Sequence, residues 1–181
     1  MIVRFLPLLA ALPLILPLAF SAPTLADHDD PSQTLVMETS KGTVKIAMRS
    51  DLAPGHVARI KELARDGFYD GIIFHRVIDG FMAQTGCPQG RGTGGSGKNL
   101  KAEFNDEPHV RGTASMARAT PPDSADSQFF ICFGDTPFLN RQYTVWGQVI
   151  EGMENVDRIE RGEPPANPDK IVSMRVEADV A

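Results

Sequence analysis

The sequence predicts a mainly β protein with few helices, of the kind that folds as a barrel or a sandwich. Short apolar or alternating segments recur along the chain, and turns rich in glycine and proline separate them. Only two segments longer than a single turn have the spacing of apolar residues that is typical of helices. The 181 residues suit one domain with a single core behind an N-terminal leader.

Residues 1–26 are predicted to be a cleaved signal peptide. Arg4 gives a short basic start, residues 5–20 form an uncharged apolar run, and Thr24-Leu25-Ala26 offers the small residues that a signal peptidase reads. The alternative is a membrane anchor, but a spanning helix needs about 20 apolar residues, and this run has 16 residues and three prolines. Residues 27–33 are predicted to be a loose acidic linker, and residues 34–181 the folded domain.

Composition argues against several classes of protein. The leader carries one of the 18 basic residues and none of the 23 acidic ones, so the mature chain, with 17 and 23, has a formal net charge of −6. A general nucleic-acid binder would be basic. Export would allow a disulfide bond to form. Two cysteines do not make a disulfide framework, however, and we expect both to be free, with Cys87 semi-exposed and Cys132 buried. The four histidines show no metal spacing, so no metal or cofactor is predicted.

A hairpin and a helix are predicted to open the domain. Strands at 34–39 and 43–48 are joined at Ser40-Lys41-Gly42. A helix follows over 54–66, because proline suits its first turn and Gly67 can end it in the C′ position. The apolar face of this helix is Val57, Ile60, Leu63 and Ala64.

The rest of the domain is predicted to alternate short strands with loops. Residues 74–86 form two short strands around a turn at Asp79-Gly80, and the glycine-rich residues 87–98 are irregular. The closing strand at 170–177 is expected to place Val172, Met174 and Val176 on one face. The remaining elements are strands at 112–117, 128–132 and 143–150, a helical turn at 136–140 and a second short helix at 153–161.

The stretch FHRVIDGFMAQTG at 74–86 combines residue types suited to a neutral, apolar substrate group. Handling such a group without proton transfer requires an apolar floor, a fixed cation and an amide donor, and SQFFI at 127–131 adds residues of the same kind. The candidates in the first stretch are Arg76, Phe81, Met82 and Gln84.

Arg76 lies in a predicted strand that is otherwise rich in apolar residues. A position on the surface is the usual outcome for an arginine. Strand alternation, however, puts Arg76 on the face shared with Phe74 and Ile78. A charged side chain on such an apolar face indicates a specific role for Arg76.

Several motifs, in one order and with matching spacing, resemble those of the cyclophilin-type peptidyl-prolyl isomerases. They are FHRVIDGFMAQTG, GTGG at 92–95, SMA at 115–117 and SQFFI at 127–131, and the likeness runs from about Thr34 to Glu177. The resemblance implies a closed eight-stranded antiparallel β-barrel with a helix over each open end. The two predicted helices fit those caps.

The resemblance also implies roles for eleven residues in these motifs and near them. Arg76 would be catalytic, with its guanidinium reaching the substrate proline. Gln84 and Gln128 would form hydrogen bonds with the substrate backbone, although an edge position in water is the alternative for Gln84. The other substrate-binding residues would be Phe81, Met82, Phe130 and Leu139 in the proline pocket, Ala117 and Arg118 in a loop beside the substrate, and Phe138 and Tyr143 at the rim. For any pocket residue taken alone, a place in the core is the simpler interpretation.

Three positions depart from the family pattern. Arg118 stands where asparagine is frequent, Phe138 where many eukaryotic members have tryptophan, and Tyr143 where they have histidine. Contact at Arg118 is expected to be through the backbone, so function should be retained. Members of the family bind cyclosporin through the indole N–H of the tryptophan at this position. Phe138 has no such donor, so this protein is expected to bind cyclosporin more weakly.

The predicted function is peptidyl-prolyl cis/trans isomerisation that assists the folding of exported polypeptides, in the periplasm or after secretion. The predicted partners are proline-containing polypeptides, and we expect a monomer that binds no nucleic acid and, after cleavage, no membrane. The alternative is a proline-peptide-binding chaperone with little catalysis. The intact Arg76 disfavours this alternative, because a mere binder would not need it.

The segment at 92–99 nearly matches the phosphate-binding pattern GxxxxGK[ST]. Asn99 replaces the hydroxyl residue that would hold magnesium, no buried strand runs into the segment, and no clear helix follows. A flexible loop is the simpler interpretation, and the resemblance makes this loop one wall of the substrate groove.

Overall fold

The computed structural model describes residues 30–180, so the predicted signal peptide and residues 27–29 of the predicted linker lie outside the described residues. Residues 31–33, predicted as loose linker, form a 3₁₀ turn, because the Asp30 side chain accepts a hydrogen bond from the Ser32 N–H at 2.8 Å and Pro31 starts the turn. The strands are β1 Thr34–Thr39, β2 Gly42–Met48, β3 Arg76–Ile78, β4 Met82–Thr85, β5 Thr113–Met116, β6 Phe129–Cys132, β7 Val145–Glu151 and β8 Ile171–Val176.

The eight strands form one antiparallel sheet in the order β3-β4-β6-β5-β7-β2-β1-β8. The expectation of a closed barrel is wrong in one respect. The first and last strands of this order, β3 and β8, do not pair with each other, so the ladder of paired strands is open. The reason is that β3 has only three residues and begins after an irregular segment. That segment bridges the gap, since Gly71 N–H and Phe74 N–H donate to the carbonyl oxygens of Ile171 and Asp169 at 2.7 and 2.8 Å.

One face assignment in β8 is wrong because the strand is not regular. The register with β1 shifts between Glu38, opposite Ser173, and Thr39, opposite Ile171. This β-bulge leaves Val172 unpaired and 52% exposed, whereas Met174 is fully buried as predicted. Strict alternation therefore holds on only one side of the bulge.

Two helices pack against the sheet. Helix α1, Pro54–Arg65, contacts β8 and buries its predicted apolar face together with His56. Helix α2, Met153–Asp157, contacts β2 and is shorter than the predicted 153–161. After Asp157 the chain tightens, and the N–H groups of Arg158 and Ile159 donate to the carbonyl oxygens three residues before them at 3.2 and 3.1 Å. The Arg161 guanidinium donates to the Asp157 and Ile159 carbonyl oxygens at 2.7 and 2.6 Å. Within residues 30–180, no helix is long and apolar enough to cross a bilayer.

Apolar side chains form two separate clusters on opposite faces of β4 and β6. The larger cluster is the core, in which Phe129 makes edge-to-face contacts with Tyr69 and Trp146 at centroid distances of 5.7 and 5.4 Å. The smaller cluster, called here the outer cluster, consists of Met82, Phe130, Cys132 and Leu139, with Ile78, Phe81, Ala117 and Tyr143 packed against it.

Both cysteines are free, and both are buried. For Cys132 this agrees with the prediction, and burial raises the pKa of its thiol to about 11. Cys87 was expected to be semi-exposed, and that expectation is wrong. The glycine-rich segment folds back over it, so that Gly94 N–H donates to its sulfur at 3.3 Å.

Candidate active site

The register of β4 and β6 builds the floor of the site from the outer cluster. Met82 lies opposite Cys132, and Gln84 lies opposite Phe130. Because successive side chains alternate between faces, their neighbours Ala83 and Ile131 enter the core instead. The sequence pattern of alternating residues thus creates an apolar floor on the outer side of the sheet.

A cavity of about 140 Å³ opens on this floor and is lined by nine of the eleven predicted site residues. These nine are Arg76, Phe81, Met82, Gln84, Ala117, Arg118, Phe130, Leu139 and Tyr143. The other two, Gln128 and Phe138, lie beside it. Gln128 lines a neighbouring groove of about 440 Å³ together with the glycine-rich loop.

Arg76 stands at the edge of the cavity because β3 pairs it with Gln84. Its side chain is 41% exposed, and its Nε donates to Glu163 Oε1 at 2.5 Å. The expectation that Arg76 shares a face with Phe74 is wrong, since Phe74 is fully buried in the core. The strand begins only at Arg76, so alternation does not extend back to Phe74, whereas Ile78 does pack on the outer cluster.

The two predicted glutamines have different surroundings. Gln84 Nε2 donates to Gln128 Oε1 at 3.0 Å, and Gln128 Nε2 donates to the carbonyl oxygens of Gly92 and Gly94 at 2.9 and 2.8 Å. Gln128 therefore connects the cavity to the glycine-rich loop. Within residues 30–180, no donor reaches Gln84 Oε1, so this oxygen can accept a hydrogen bond from a ligand.

Arg118 forms one wall of the cavity through its side chain, which the sequence did not indicate. Its guanidinium lies over the rings of Tyr143 and Phe104, at 4.8 and 5.5 Å from their centroids. It also donates to three backbone carbonyl oxygens, those of Gln142, Ala119 and Thr120, at 2.9 to 3.0 Å. These bonds join the loop after β5 to the loop before β7.

Phe138 is 63% exposed and does not itself line the cavity. Its ring packs against Phe81 with a centroid distance of 5.5 Å. The two rings form an exposed apolar edge beside the cavity.

His109 supports the floor of the cavity, a role that no spacing pattern in the sequence indicates. Its ring stacks on Phe130 at 6.2 Å, and its nitrogens lie 3.1 Å from Asn140 Oδ1 and 2.9 Å from Ser115 Oγ. Burial lowers the pKa of His109 below its usual value, although the Asn140 bond opposes the shift. Among residues 30–180, no group of three or more potential ligands could hold a metal ion.

The fold and this site place a small cavity with an apolar floor beside the Arg76 guanidinium, an arrangement suited to an apolar group of a peptide. The chain belongs to the cyclophilin-type peptidyl-prolyl cis-trans isomerases, since the family model described as cyclophilin type peptidyl-prolyl cis-trans isomerase/CLD matches residues 34–176. A probable peptidyl-prolyl cis-trans isomerase of Brucella suis biovar 1 (strain 1330) is 49% identical over 179 residues, covering 90% of this chain and 91% of the relative. A peptidyl-prolyl cis-trans isomerase of Synechococcus elongatus is 43% identical over 146 residues, covering 81% and 97%.

Solved structures give the same result. Cyclophilin AquaCyp293 from Hirschia baltica matches with a TM-score of 0.78 and 31% identity, covering 84% of this chain and 76% of that one. A Cryptosporidium parvum cyclophilin type peptidyl-prolyl cis-trans isomerase, solved in the presence of the dipeptide Ala-Pro, matches with a TM-score of 0.74 and 29% identity, covering 80% and 98%. The predicted family, mainly β fold and enzyme class are confirmed, and the chain is a peptidyl-prolyl cis/trans isomerase.

The glycine-rich loop uses its backbone donors on a carboxylate of the protein itself. Asp126 accepts hydrogen bonds from the N–H groups of Ser96, Gly97 and Lys98 at 2.9, 2.9 and 3.2 Å, and also from the Ser96 hydroxyl. A phosphate would need these same donors. The loop instead lines the groove beside the cavity through Gly92 to Gly95.

ATP and GTP, each with magnesium, are therefore expected to leave the melting temperature unchanged. Binding at 100 times Kd would stabilise the protein by about 2.7 kcal/mol, which a thermal-shift measurement would detect. A clear rise in melting temperature would contradict this prediction and would support nucleotide binding at the loop.

Proposed function

We propose that Arg76 is the catalytic residue and that the cavity beside it holds the proline ring of an X–Pro bond. The observation that carries this proposal is the juxtaposition of the Arg76 guanidinium, whose Nη groups make no hydrogen bond among residues 30–180, with a small cavity that has an apolar floor of Met82, Phe130 and Leu139. The Ala-Pro dipeptide used with the Cryptosporidium relative supports a proline-containing substrate.

The physical basis is the resonance of the peptide bond. Rotation faces a barrier of about 18–20 kcal/mol, and isomerisation of an X–Pro bond takes roughly 10–100 s unaided. A donor directed at the proline nitrogen favours its pyramidal form and weakens the resonance. A dry apolar cavity stabilises the twisted amide, which is less dipolar than the planar one. An acceleration of five decades needs about 7 kcal/mol, a scale that preorganised hydrogen bonds in a water-excluded site can supply.

A protease-coupled assay on a proline peptide, with and without cyclosporin, tests this function. The proposal requires acceleration of the cis-to-trans step that depends on the concentration of the protein. If the protein binds the peptide and suppresses client aggregation without such acceleration, the proline-binding chaperone is the correct function.

We also propose that the protein is exported and isomerises X–Pro bonds in exported polypeptides as a monomer. The basic start, the short apolar run and Thr24-Leu25-Ala26 support this proposal. Mass spectrometry of the protein from its native host should show a mature chain that begins near Asp27. Full-length protein confined to the cytosol would contradict export.

Phe138→Trp is expected to strengthen inhibition by cyclosporin. Phe138 has no N–H donor, and an unmade hydrogen bond to a buried acceptor costs about 1–3 kcal/mol. The wild-type protein should therefore be inhibited about ten- to a hundredfold more weakly than Phe138→Trp. Measurement of both inhibition constants in the same assay checks this prediction, and equal constants would show that Phe138 does not face the inhibitor.

A further inference from the structure

Glu163 lies directly opposite Arg76 although 87 residues separate them. Gly162 and Val77 exchange two backbone hydrogen bonds of 2.8 Å, which adds a short extended segment to the free edge of β3. In an antiparallel pair, the residue after Gly162 faces the residue before Val77. The fold therefore places a carboxylate next to the guanidinium that lines the cavity.

The turn that carries Glu163 is held rigidly. Gly162 has a φ of 148°, and a Cβ at this position would lie 2.5 Å from the Cα of Pro165, so only glycine fits. Pro164 and Pro165 restrict their own φ angles. Before the turn, the Arg161 guanidinium donates to two backbone carbonyl oxygens at 2.7 and 2.6 Å. The Glu163 side chain thus extends from a well-fixed backbone.

Glu163 contacts the inner nitrogen of the guanidinium and leaves the outer ones to a ligand. Arg76 Nε donates to Glu163 Oε1 at 2.5 Å. In the part of the chain that the structure describes, Arg76 Nη1 and Nη2 make no hydrogen bond. A bond at Nε fixes the guanidinium plane, since the group is rigid and planar, while both Nη groups remain free to donate.

We propose that Glu163 is a positioning residue that holds the Arg76 guanidinium in its productive orientation. This inference rests on the proposed catalytic role of Arg76. The two side chains are 41% and 52% exposed, so solvent screens the ion pair and its contribution to folding stability is small. Its effect is on the orientation of Arg76, and therefore on the rate.

Removal of the carboxylate by Glu163→Ala is expected to lower kcat with little change in KM. Without its partner the Arg76 side chain samples several staggered rotamers, and the productive fraction should fall about fivefold. Glu163→Gln keeps an oxygen that can accept from Nε, so it should recover part of the loss. If Glu163 acted only through its charge, Gln and Ala would lose activity equally.

The test measures kcat and KM on a proline peptide for wild type, Glu163→Ala and Glu163→Gln, and again for Glu163→Ala combined with Arg76→Ala. Asp179→Asn is the matched control, because Asp179 Oδ2 binds Arg65 Nε at 2.8 Å with side chains 39% and 55% exposed, away from the cavity. Nitrogen-15 relaxation of the Arg76 Nε–H group adds a direct readout, and its order parameter should fall in Glu163→Ala.

Support for the inference consists of a loss in kcat for Glu163→Ala, partial recovery in Glu163→Gln, and no further loss when Arg76 is already alanine. Unchanged or raised kcat in folded Glu163→Ala overturns it, as does an equal loss in the Arg76→Ala background. If Arg76→Ala is inactive and Glu163→Ala is fully active, the positioning role of Glu163 is wrong while the catalytic role of Arg76 stands. If Arg76→Ala itself is fully active, the proposed role of Arg76 fails as well.

Discussion

Replacement of Arg76 by alanine is expected to lower kcat/KM by about 10²–10³, the scale observed when one preorganised donor is lost. The loss should fall on kcat with little change in KM, because the bond to the proline nitrogen strengthens only as that nitrogen becomes pyramidal. Arg76→Lys should recover little activity, because an ammonium lacks the planar fork of donors. Steady-state kinetics on a proline peptide checks both variants.

Arg65→Ala is the control for this experiment. Arg65 is also a partly exposed arginine whose Nε donates to a carboxylate, that of Asp179. Unlike Arg76, Arg65 does not line the cavity. The Arg65→Ala variant should retain the activity of the wild type. Circular dichroism must show that each variant is folded. A folded Arg76→Ala that isomerises the peptide at the wild-type rate would show that Arg76 has only a structural role.

Phe130→Ala is expected to weaken substrate binding as well as to reduce the rate. Phe130 is buried in the floor of the cavity and contacts His109 and Tyr143 at centroid distances of 6.2 and 5.8 Å. Loss of apolar contact in such a pocket lowers kcat/KM by about 10–200-fold, and here KM should rise. The truncation should also cost about 3–5 kcal/mol of folding stability, so kinetics must be measured well below the melting temperature.

Ile131→Ala separates the two effects of the Phe130 substitution. Ile131 is the next residue of β6 and is fully buried in the core on the opposite face of the sheet. Its truncation should cost about 2–5 kcal/mol of stability and leave KM unchanged. An equal rise in KM for both variants would show that the Phe130 effect comes from general loosening of the sheet.

Much of the site follows from short-range patterns in the sequence. In β4 and β6, regular alternation separates Met82 and Phe130, on the outer face, from Ala83 and Ile131, in the core. The nine predicted residues that line one cavity were assigned through the family resemblance, and three of them, Arg118, Leu139 and Tyr143, lie outside the motifs themselves. Strand alternation thus predicts which residues of β4 and β6 share a face, whereas the assignment of the outer face to a substrate pocket depends on the family resemblance.

The remaining features depend on irregular backbone or on contacts between distant segments. The bulge at Val172 and the start of β3 at Arg76 interrupt alternation, and the sequence offers no local sign of either. The positions of Arg118 over Phe104 and of Glu163 beside Arg76 arise only when separate loops come together. Such contacts form only in the folded tertiary structure, so no pattern within one segment predicts them.

Exchange NMR on a proline peptide tests the central claim most directly, because it observes the cis and trans forms of one bond at equilibrium. Catalytic amounts of the wild-type protein should produce cross-peaks between the two forms that the peptide alone does not show on the same timescale. Folded Arg76→Ala should still shift the peptide resonances by binding but should give no such cross-peaks. Equal exchange with both proteins would contradict the role of Arg76, and binding without exchange by the wild type would contradict catalysis at this cavity.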